Sequence, residues 1–145
     1  MSLRLTAEIA EQIRAHGAFG YPHEICGALL GRDVDEGREV VALFPLDNRR
    51  EDSPRNRFSV TADDVRSAER AASAQALEVV GWYHSHPDHP ARPSEFDREH
   101  AWPWYSHVIV SVAAGAAQEI TSWRLEDDRS GYQIEAIEIA ARARS

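Results

Sequence analysis

The sequence predicts a single α/β domain over residues 1–145, built from a curved mixed β-sheet flanked by helices. Two apolar runs rich in β-branched residues, Ile25–Leu30 and Leu77–His84, are typical of buried strands. Thr61–Ala76 is long, alanine-rich and opens with an N-capping residue, which indicates a helix. A chain of 145 residues with 43% apolar content is large enough for one core, and no linker or repeat divides it.

The remaining elements follow from the same criteria. Thr6–Ala18 is predicted to be an amphipathic helix capped by Thr6. A charged turn, Arg32–Arg38, should make the next strand antiparallel to Ile25–Leu30. A turn is also expected at Ala113–Gln118. Further strands are expected at Glu39–Leu46, Phe58–Val60, Ser106–Val112, Glu119–Leu125 and Tyr132–Ile139.

Composition excludes several classes of function. The net charge is −8 and the isoelectric point is near 5.3, whereas binding to nucleic-acid phosphates requires clustered basic residues. No apolar run approaches the roughly 18 residues of a membrane span, and the first residues lack the apolar core of a secretory signal. One cysteine excludes an internal disulfide framework and fits a reducing compartment. We therefore expect a cytoplasmic protein that binds neither nucleic acid nor membrane.

The segment Gly81–Asp97, GWYHSHPDHPARPSEFD, carries the clearest chemical signal. His84 and His86 are two residues apart, so both side chains point to one face if the strand continues through Ser85. Pro87, Pro90 and Pro93 then impose a loop. Two histidines and a carboxylate are ligands that zinc accepts, and three protein ligands leave its fourth position open, as in catalytic sites.

Ser94 and Asp97 supply the rest of this segment's chemistry. Ser94 is a natural N-cap for a short helix, SEFDREHA, and Asp97 lies one turn into that helix, from where the loop can bring it back towards the histidines. The same S-x-x-D spacing is typical of a helix-capping pair. The two interpretations are compatible, because a hydroxyl can cap a helix and still face a site. An isolated H-x-H can also be incidental.

A zinc hydrolase also needs a general base, and Glu24 at the start of the Ile25–Leu30 strand is the best candidate. The alternative is an ordinary exposed acid. His23 should point to the opposite face and stay outside the site. Cys26 has no Cys/His/Asn pattern to support a nucleophile and is interpreted as a small buried hydrophobe.

Two segments leave a choice open. The polar loop Asp47–Arg57, with Asn48 as its most notable residue, is either a solvated connection or a rim that contacts substrate. The aromatic cluster Trp102–Tyr105 either packs beneath the site loop or forms a wall of a substrate groove.

Together these residues resemble the JAMM (MPN+) metalloprotease motif: a distant Glu, then H-[ST]-H-P, seven residues, and S-x-x-D. Every motif position matches, at Glu24, at His84–Pro87, at Ser94 and at Asp97. The surrounding P-x-E-x-C-G-x-L-L-G, GWYHSHP and HVIVSV sequences are also similar to this family. The similarity spans roughly residues 9–125 and is greatest to its short, free-standing prokaryotic members.

The resemblance implies a role for each residue. His84, His86 and Asp97 would bind Zn²⁺, with water at the fourth position, and Glu24 would shuttle the proton to the leaving amine. Ser94 would stabilise the oxyanion. The fold would be that of a JAMM/MPN domain.

The function implied is that of a zinc metallopeptidase or isopeptidase. Its substrate would be the bond after the C-terminal Gly-Gly tail of a ubiquitin-like sulfur-carrier protein, with cysteine as a candidate released group. The alternative is a catalytically silent MPN-type scaffold that binds ubiquitin-like proteins, although the complete ligand set counts against it. A zinc nucleobase deaminase is excluded, because H-x-E and P-C-x-x-C are absent.

Overall fold

The computed structural model describes residues 2–35, 37–46 and 60–140. This part of the chain contains the strands β1 Ser2–Thr6, β2 Cys26–Val34, β3 Gly37–Leu46, β4 Glu78–Pro87, β5 Ser106–Ala113, β6 Ala116–Leu125 and β7 Tyr132–Ala140. Its helices are α1 Ala7–Gly20, α2 Ala62–Ala74 and α3 Glu95–His100. No helix in these ranges is long and apolar enough to cross a bilayer.

The strands form one mixed sheet in the order β1-β3-β2-β4-β5-β6-β7, and β7 pairs with β1 to close it into a barrel. The β1–β3, β1–β7 and β4–β5 pairs are parallel, and the others are antiparallel. The predicted α/β class, with a mixed sheet and flanking helices, is therefore confirmed. The curvature of the sheet is sufficient for full closure.

Most predicted elements are confirmed, and the differences have local causes. Strand β1 was not predicted, because its five residues run directly into α1, whose N-cap is the predicted Thr6. The turns predicted at Arg32–Arg38 and Ala113–Gln118 are shorter than expected, since β2 extends to Val34 and β6 begins at Ala116. The predicted loop Asp47–Arg57, Asn48 and nearly all of the predicted strand Phe58–Val60 lie outside the described residues.

Helices cover the two faces of the sheet with separate cores. On one face, Ile9, Ala10 and Ile13 of α1 pack with residues such as Leu29 and Tyr83. On the other face, α2 packs through alanines against a second set of buried side chains. That set comprises Ala28, Leu30, Ala68, Ala72, Val79 and Trp82. Neighbouring residues of one strand thus belong to different cores, because successive side chains of a strand point to opposite faces of the sheet.

A β-bulge in β4 decides which face each residue occupies. Val79 pairs with Leu30 and Gly81 pairs with Leu29, so Val80 is an extra residue on β4. The bulge reverses the alternation, because Val79 and Trp82 both belong to the α2 face. Gly81 is required here, since a Cβ would lie 2.2 Å from the Ser106 carbonyl oxygen. After the bulge, every second residue of β4 follows Trp82 onto the α2 face.

Gly27→Ala is expected to lower the free energy of unfolding by about 1–3 kcal/mol, the usual range for overpacking a core. An added Cβ would lie 2.4 Å from the Tyr83 ring, which is fully buried and hydrogen-bonded to His16. Denaturant unfolding measures the change. Gly131→Ala is the control, because its Cβ meets nothing within 4 Å and it should stay within about 0.5 kcal/mol. Equal effects of the two substitutions would contradict this packing.

Candidate metal centre

Strand β4 places His84 and His86 on the α2 face, where the Nε2 atoms of the two imidazoles lie close together. Their Nε2 atoms are 3.0 Å apart. Extended geometry persists through Ser85 to Pro87, so the condition that the sequence analysis set for a shared face is met. Strand β4 pairs with β2 on one side and β5 on the other, which holds the two histidines in register.

Asp97 joins the histidines from α3. Its Oδ1 lies 3.3 Å from His84 Nε2 and its Oδ2 lies 3.2 Å from His86 Nε2. Ser94 and Asp97 also form a reciprocal capping box: the Asp97 N–H donates to Ser94 Oγ, and the Ser94 N–H donates to Asp97 Oδ2. The carboxylate therefore caps the helix and faces the histidines at the same time, so the two interpretations of S-x-x-D hold together.

The chemistry of this donor set fits a cation. His86 Nδ1 lies 2.8 Å from the Pro90 carbonyl oxygen, which can only accept, so the neutral ring carries its proton there and keeps its lone pair on Nε2. Four ligand atoms bonded tetrahedrally to one zinc ion at about 2.0–2.1 Å would lie about 3.3–3.4 Å apart. Here the two Nε2 atoms are 3.0 Å apart, and each lies 3.2–3.3 Å from a different oxygen of Asp97. His84, His86 and Asp97 form a cluster that could hold a metal ion.

Burial and mutual contacts set the charges of the cluster. Burial lowers the pKa of His84, and the neighbouring Asp97 offsets this only in part. Burial alone would raise the pKa of Asp97, but contacts with His84, His86 and the Ser94 N–H outweigh it and hold this pKa well below its usual range. A neutral His84 beside an ionised Asp97 is the protonation state in which both can bind a cation.

The loop between the histidines and α3 is anchored along its length. Thr121 Oγ1 donates to the Ala91 carbonyl oxygen at 2.6 Å. Asp88 accepts from the Tyr21 hydroxyl at 2.6 Å and from the Ala114 N–H at 2.9 Å. These bonds tie the loop to β6, to the end of α1 and to the β5–β6 turn.

Glu24 is placed beside the histidines by strand pairing. Cys26 pairs with His84, and Ile25 bonds Ser85 twice, through its N–H to Ser85 Oγ and through its carbonyl to the Ser85 N–H. Glu24 lies two residues before β2, and the same antiparallel register, if continued to it, would set it opposite His86 and on the same face. Glu24, His84, His86 and Asp97 are all between 5% and 8% exposed, so Glu24 is not an ordinary surface acid.

His23, Cys26 and Ser94 lie in different environments. His23 is exposed. Cys26 is buried and unbridged, on the same face as its pairing partner His84. Ser94 has its hydroxyl on the helix cap described above, while the residue as a whole is exposed.

Two residues near the cluster were not singled out from the sequence. His107 of β5 is buried, its Nε2 donates to the Trp102 carbonyl oxygen at 2.8 Å, and the Tyr132 ring meets it edge-on. Burial first, then the charge of Asp97, raises the pKa of Tyr132 well above its usual range. A polar residue opening an apolar strand was the one available signal for His107.

The aromatic cluster Trp102–Tyr105 packs against side chains of β4 and β3. Trp102 and Tyr105 meet the Trp82 ring edge-on at 5.9 and 5.8 Å. Trp104 lies over the Arg38 guanidinium at 4.2 Å and is still 49% exposed. These contacts fix the chain where it leaves α3.

A family model described as prokaryotic homologs of the JAB domain matches residues 6–126. The chain belongs to this family. The resemblance to JAMM (MPN+) proteins is thereby confirmed.

Among curated JAB relatives, the desampylase of Haloferax volcanii is 38% identical over 75% of this chain and 80% of its own length. A probable TtuB-protein conjugate cleaving protease from Thermus thermophilus is 34% identical over 65% of this chain and 60% of its own length. The family and these names identify the chain as a hydrolase.

Solved structures share this fold. A protein from Salinibacter ruber superposes with a TM-score of 0.74 at 48% identity, covering 97% of this chain and 91% of that one. A JAB1/MPN domain protein from Archaeoglobus fulgidus gives a TM-score of 0.60 at 19% identity over 97% and 99% of the two chains, and so supports the fold alone.

His107→Gln is expected to reduce the decrease in the free energy of unfolding that occurs as the pH falls from about 6.5 to about 4. Burial lowers the pKa of His107 to about 4, while the unfolded chain titrates near its ordinary value of 6.5. As the pH falls through this window, the unfolded state binds the proton first, so the contribution of neutral His107 is lost. Gln keeps an N–H donor for the Trp102 carbonyl but does not titrate.

The measurement is denaturant unfolding of metal-free protein at pH 8, 7, 5.5 and 4.5. Wild type and variant should run parallel between pH 8 and 7, which is the internal control. If the free energy of unfolding of the variant falls as steeply as that of wild type below pH 6.5, the buried neutral state of His107 is contradicted.

Proposed function

We propose that this JAB-family chain is a zinc-dependent peptidase or isopeptidase that hydrolyses the bond after the C-terminal tail of a ubiquitin-like protein. The observation that carries the proposal is the convergence of His84, His86 and Asp97 at separations of 3.0–3.3 Å, with Glu24 buried two residues before the pairing partner of His84. Two imidazole nitrogens and one carboxylate oxygen, with the fourth position open, form a donor set suited to catalytic zinc.

The roles proposed for the residues are those that the resemblance to JAMM proteins implies, and the positions of these residues are compatible with them. Bound zinc would supply Lewis-acid activation of water and of the scissile carbonyl. Glu24 accepts a proton from the attacking water and passes it to the leaving amine, so the same carboxyl acts first as base and then as acid. Ser94, at the N-terminus of α3 beside Asp97, stabilises the negative charge that develops on the carbonyl oxygen.

We propose a carrier protein ending in Gly-Gly as the substrate. The Thermus relative is named for cleaving TtuB-protein conjugates, which supports a protein conjugate as the substrate class. Glycines have no side chains to collide with the walls of a narrow site, so an extended Gly-Gly tail can bring its last carbonyl close to a metal held on a buried strand. A sulfur-carrier protein with cysteine attached is the specific conjugate that we propose.

The compartment we propose is the cytoplasm, because the sole cysteine is free and buried, as is usual in reducing surroundings. A silent scaffold has less support, since it would not require three ligand atoms to converge beside a buried carboxylate.

Glu24→Gln is expected to lower kcat by about 100-fold or more while leaving zinc affinity unchanged. The amide keeps the size of the side chain but cannot accept the proton. The substrates are carriers ending in Gly-Gly, joined either to cysteine or to a lysine side chain, and mass spectrometry follows the freed carrier. Glu8→Gln, an exposed glutamate of α1, is the matched control and should keep wild-type turnover.

Each failure has a separate meaning. Wild-type turnover in Glu24→Gln would overturn the role of Glu24. A zinc-loaded wild type that cleaves neither conjugate would overturn the proposed substrate class.

A further inference from the structure

One arginine outside the site holds the end of the helix that carries Asp97. Arg129, in the turn between β6 and β7, donates from Nη1 to the Ala101 carbonyl at 2.7 Å. It also donates from Nη2 to the carbonyls of Arg98 and Glu99, both at 2.8 Å. In return, Arg98 Nη1 donates to the Arg129 carbonyl at 2.9 Å. We call these four bonds the α3 clasp.

Helix α3 has little stability of its own. It is six residues long, well below the length at which isolated helices persist in water. Its N-terminus is satisfied by the capping box of Ser94 and Asp97. At the other end, Ala101 is extended, so the last carbonyls have no partner within the helix. The guanidinium of Arg129 supplies those partners and places a positive charge where a helix C-terminus favours one.

Arg129 is itself held firmly enough to act as an anchor. Its N–H donates to the Glu126 carbonyl at 2.8 Å, and the Glu126 N–H donates to the Gly131 carbonyl at 2.9 Å. Its φ is +64°, a left-handed conformation that a residue with a side chain adopts only where the surroundings impose it. The turn therefore fixes the backbone position from which the guanidinium reaches α3.

The clasp acts within one turn of the ligand. The Ala101 N–H donates to the Asp97 carbonyl at 2.8 Å, so Asp97 is bonded directly to a residue whose own carbonyl Arg129 holds. Arg98, the residue after Asp97, takes part in the clasp through both its carbonyl and its side chain. A rotation of α3 that displaces Asp97 from the histidines would break these bonds.

We propose that Arg129 is a positioning residue of the metal centre: it fixes α3 in the orientation in which Asp97 meets His84 and His86. The proposal rests on the proposed function only in requiring that the cluster binds zinc. A planar guanidinium with five N–H donors can serve three carbonyls at once, whereas the single nitrogen of lysine cannot match that geometry.

The test compares wild type with Arg129→Gln and Arg129→Lys, using zinc affinity measured by competition with a chromogenic chelator. Arg129→Gln should weaken zinc binding about 10–100-fold, the range seen when groups that orient metal ligands are removed. The zinc affinity of Arg129→Lys should lie between those of Arg129→Gln and wild type. Arg66→Gln is the control, because Arg66 is an exposed arginine paired with Asp63 within α2, and it should bind zinc as wild type does.

Amide hydrogen exchange on the metal-free proteins is the second readout. In Arg129→Gln, the amides of Arg98 and Ala101 should exchange faster, while those of β4 keep their wild-type protection. Unchanged zinc affinity in Arg129→Gln would overturn the proposal. A loss of protection that is equal in β4 and α3 would also overturn it, since Arg129 would then only stabilise the whole fold.

The two proposals fail in distinguishable ways. If wild type binds no zinc, the proposed function fails, and the exchange data still decide whether the clasp orders α3. If wild type binds zinc and cleaves its conjugate while Arg129→Gln does the same, only the positioning role fails.

Discussion

The candidate metal centre depends on the pairing of β4 with strands on both of its sides. Backbone bonds to β2 and β5 fix the register of His84 and His86, and the bulge at Val80 decides that they face α2 rather than α1. Moving the backbone of either histidine would break sheet bonds as well as contacts within the site. The histidines are therefore held in place before any ligand arrives, which is the preorganisation that catalysis requires.

Asp97 couples this rigid sheet to a short helix. Its carboxylate caps α3 through the Ser94 N–H and also meets the two histidines. A buried carboxylate is unfavourable unless hydrogen bonds or charges compensate it, and here the Ser94 N–H donates such a bond. Because capping and the contacts with the histidines share one carboxylate, the position of α3 and the geometry of the site cannot vary independently.

The sequence was sufficient to predict the parts of the site that depend on local rules. A two-residue histidine spacing on an apolar run indicated a shared strand face, and S-x-x-D after a proline-rich loop indicated a capped helix. Strand β1 and the closure of the barrel could not be predicted, because they depend on pairing between the two ends of the chain. The bulge at Val80 could not be predicted for the same reason, because a bulge is defined only by the pairing of β4 with β2.

The contacts made by Arg129 and His107 also could not be predicted from the sequence. Each joins residues distant in sequence or donates to a backbone carbonyl, and neither leaves a spacing pattern. Glu24 could be predicted from the sequence only in part. Its candidacy could be argued from its place at a strand start, but its position opposite His86 follows only from the register of β2 and β4.

Zinc content tests the central claim most directly. Elemental analysis would compare wild type, His86→Ala and His89→Ala, all purified without added metal; His89 is the exposed histidine of the same loop. The account predicts about one zinc per chain in wild type and His89→Ala, and its loss in His86→Ala, which removes one of three ligands. Wild-type protein that takes up no zinc even after reconstitution, or His86→Ala that retains it, would contradict the account.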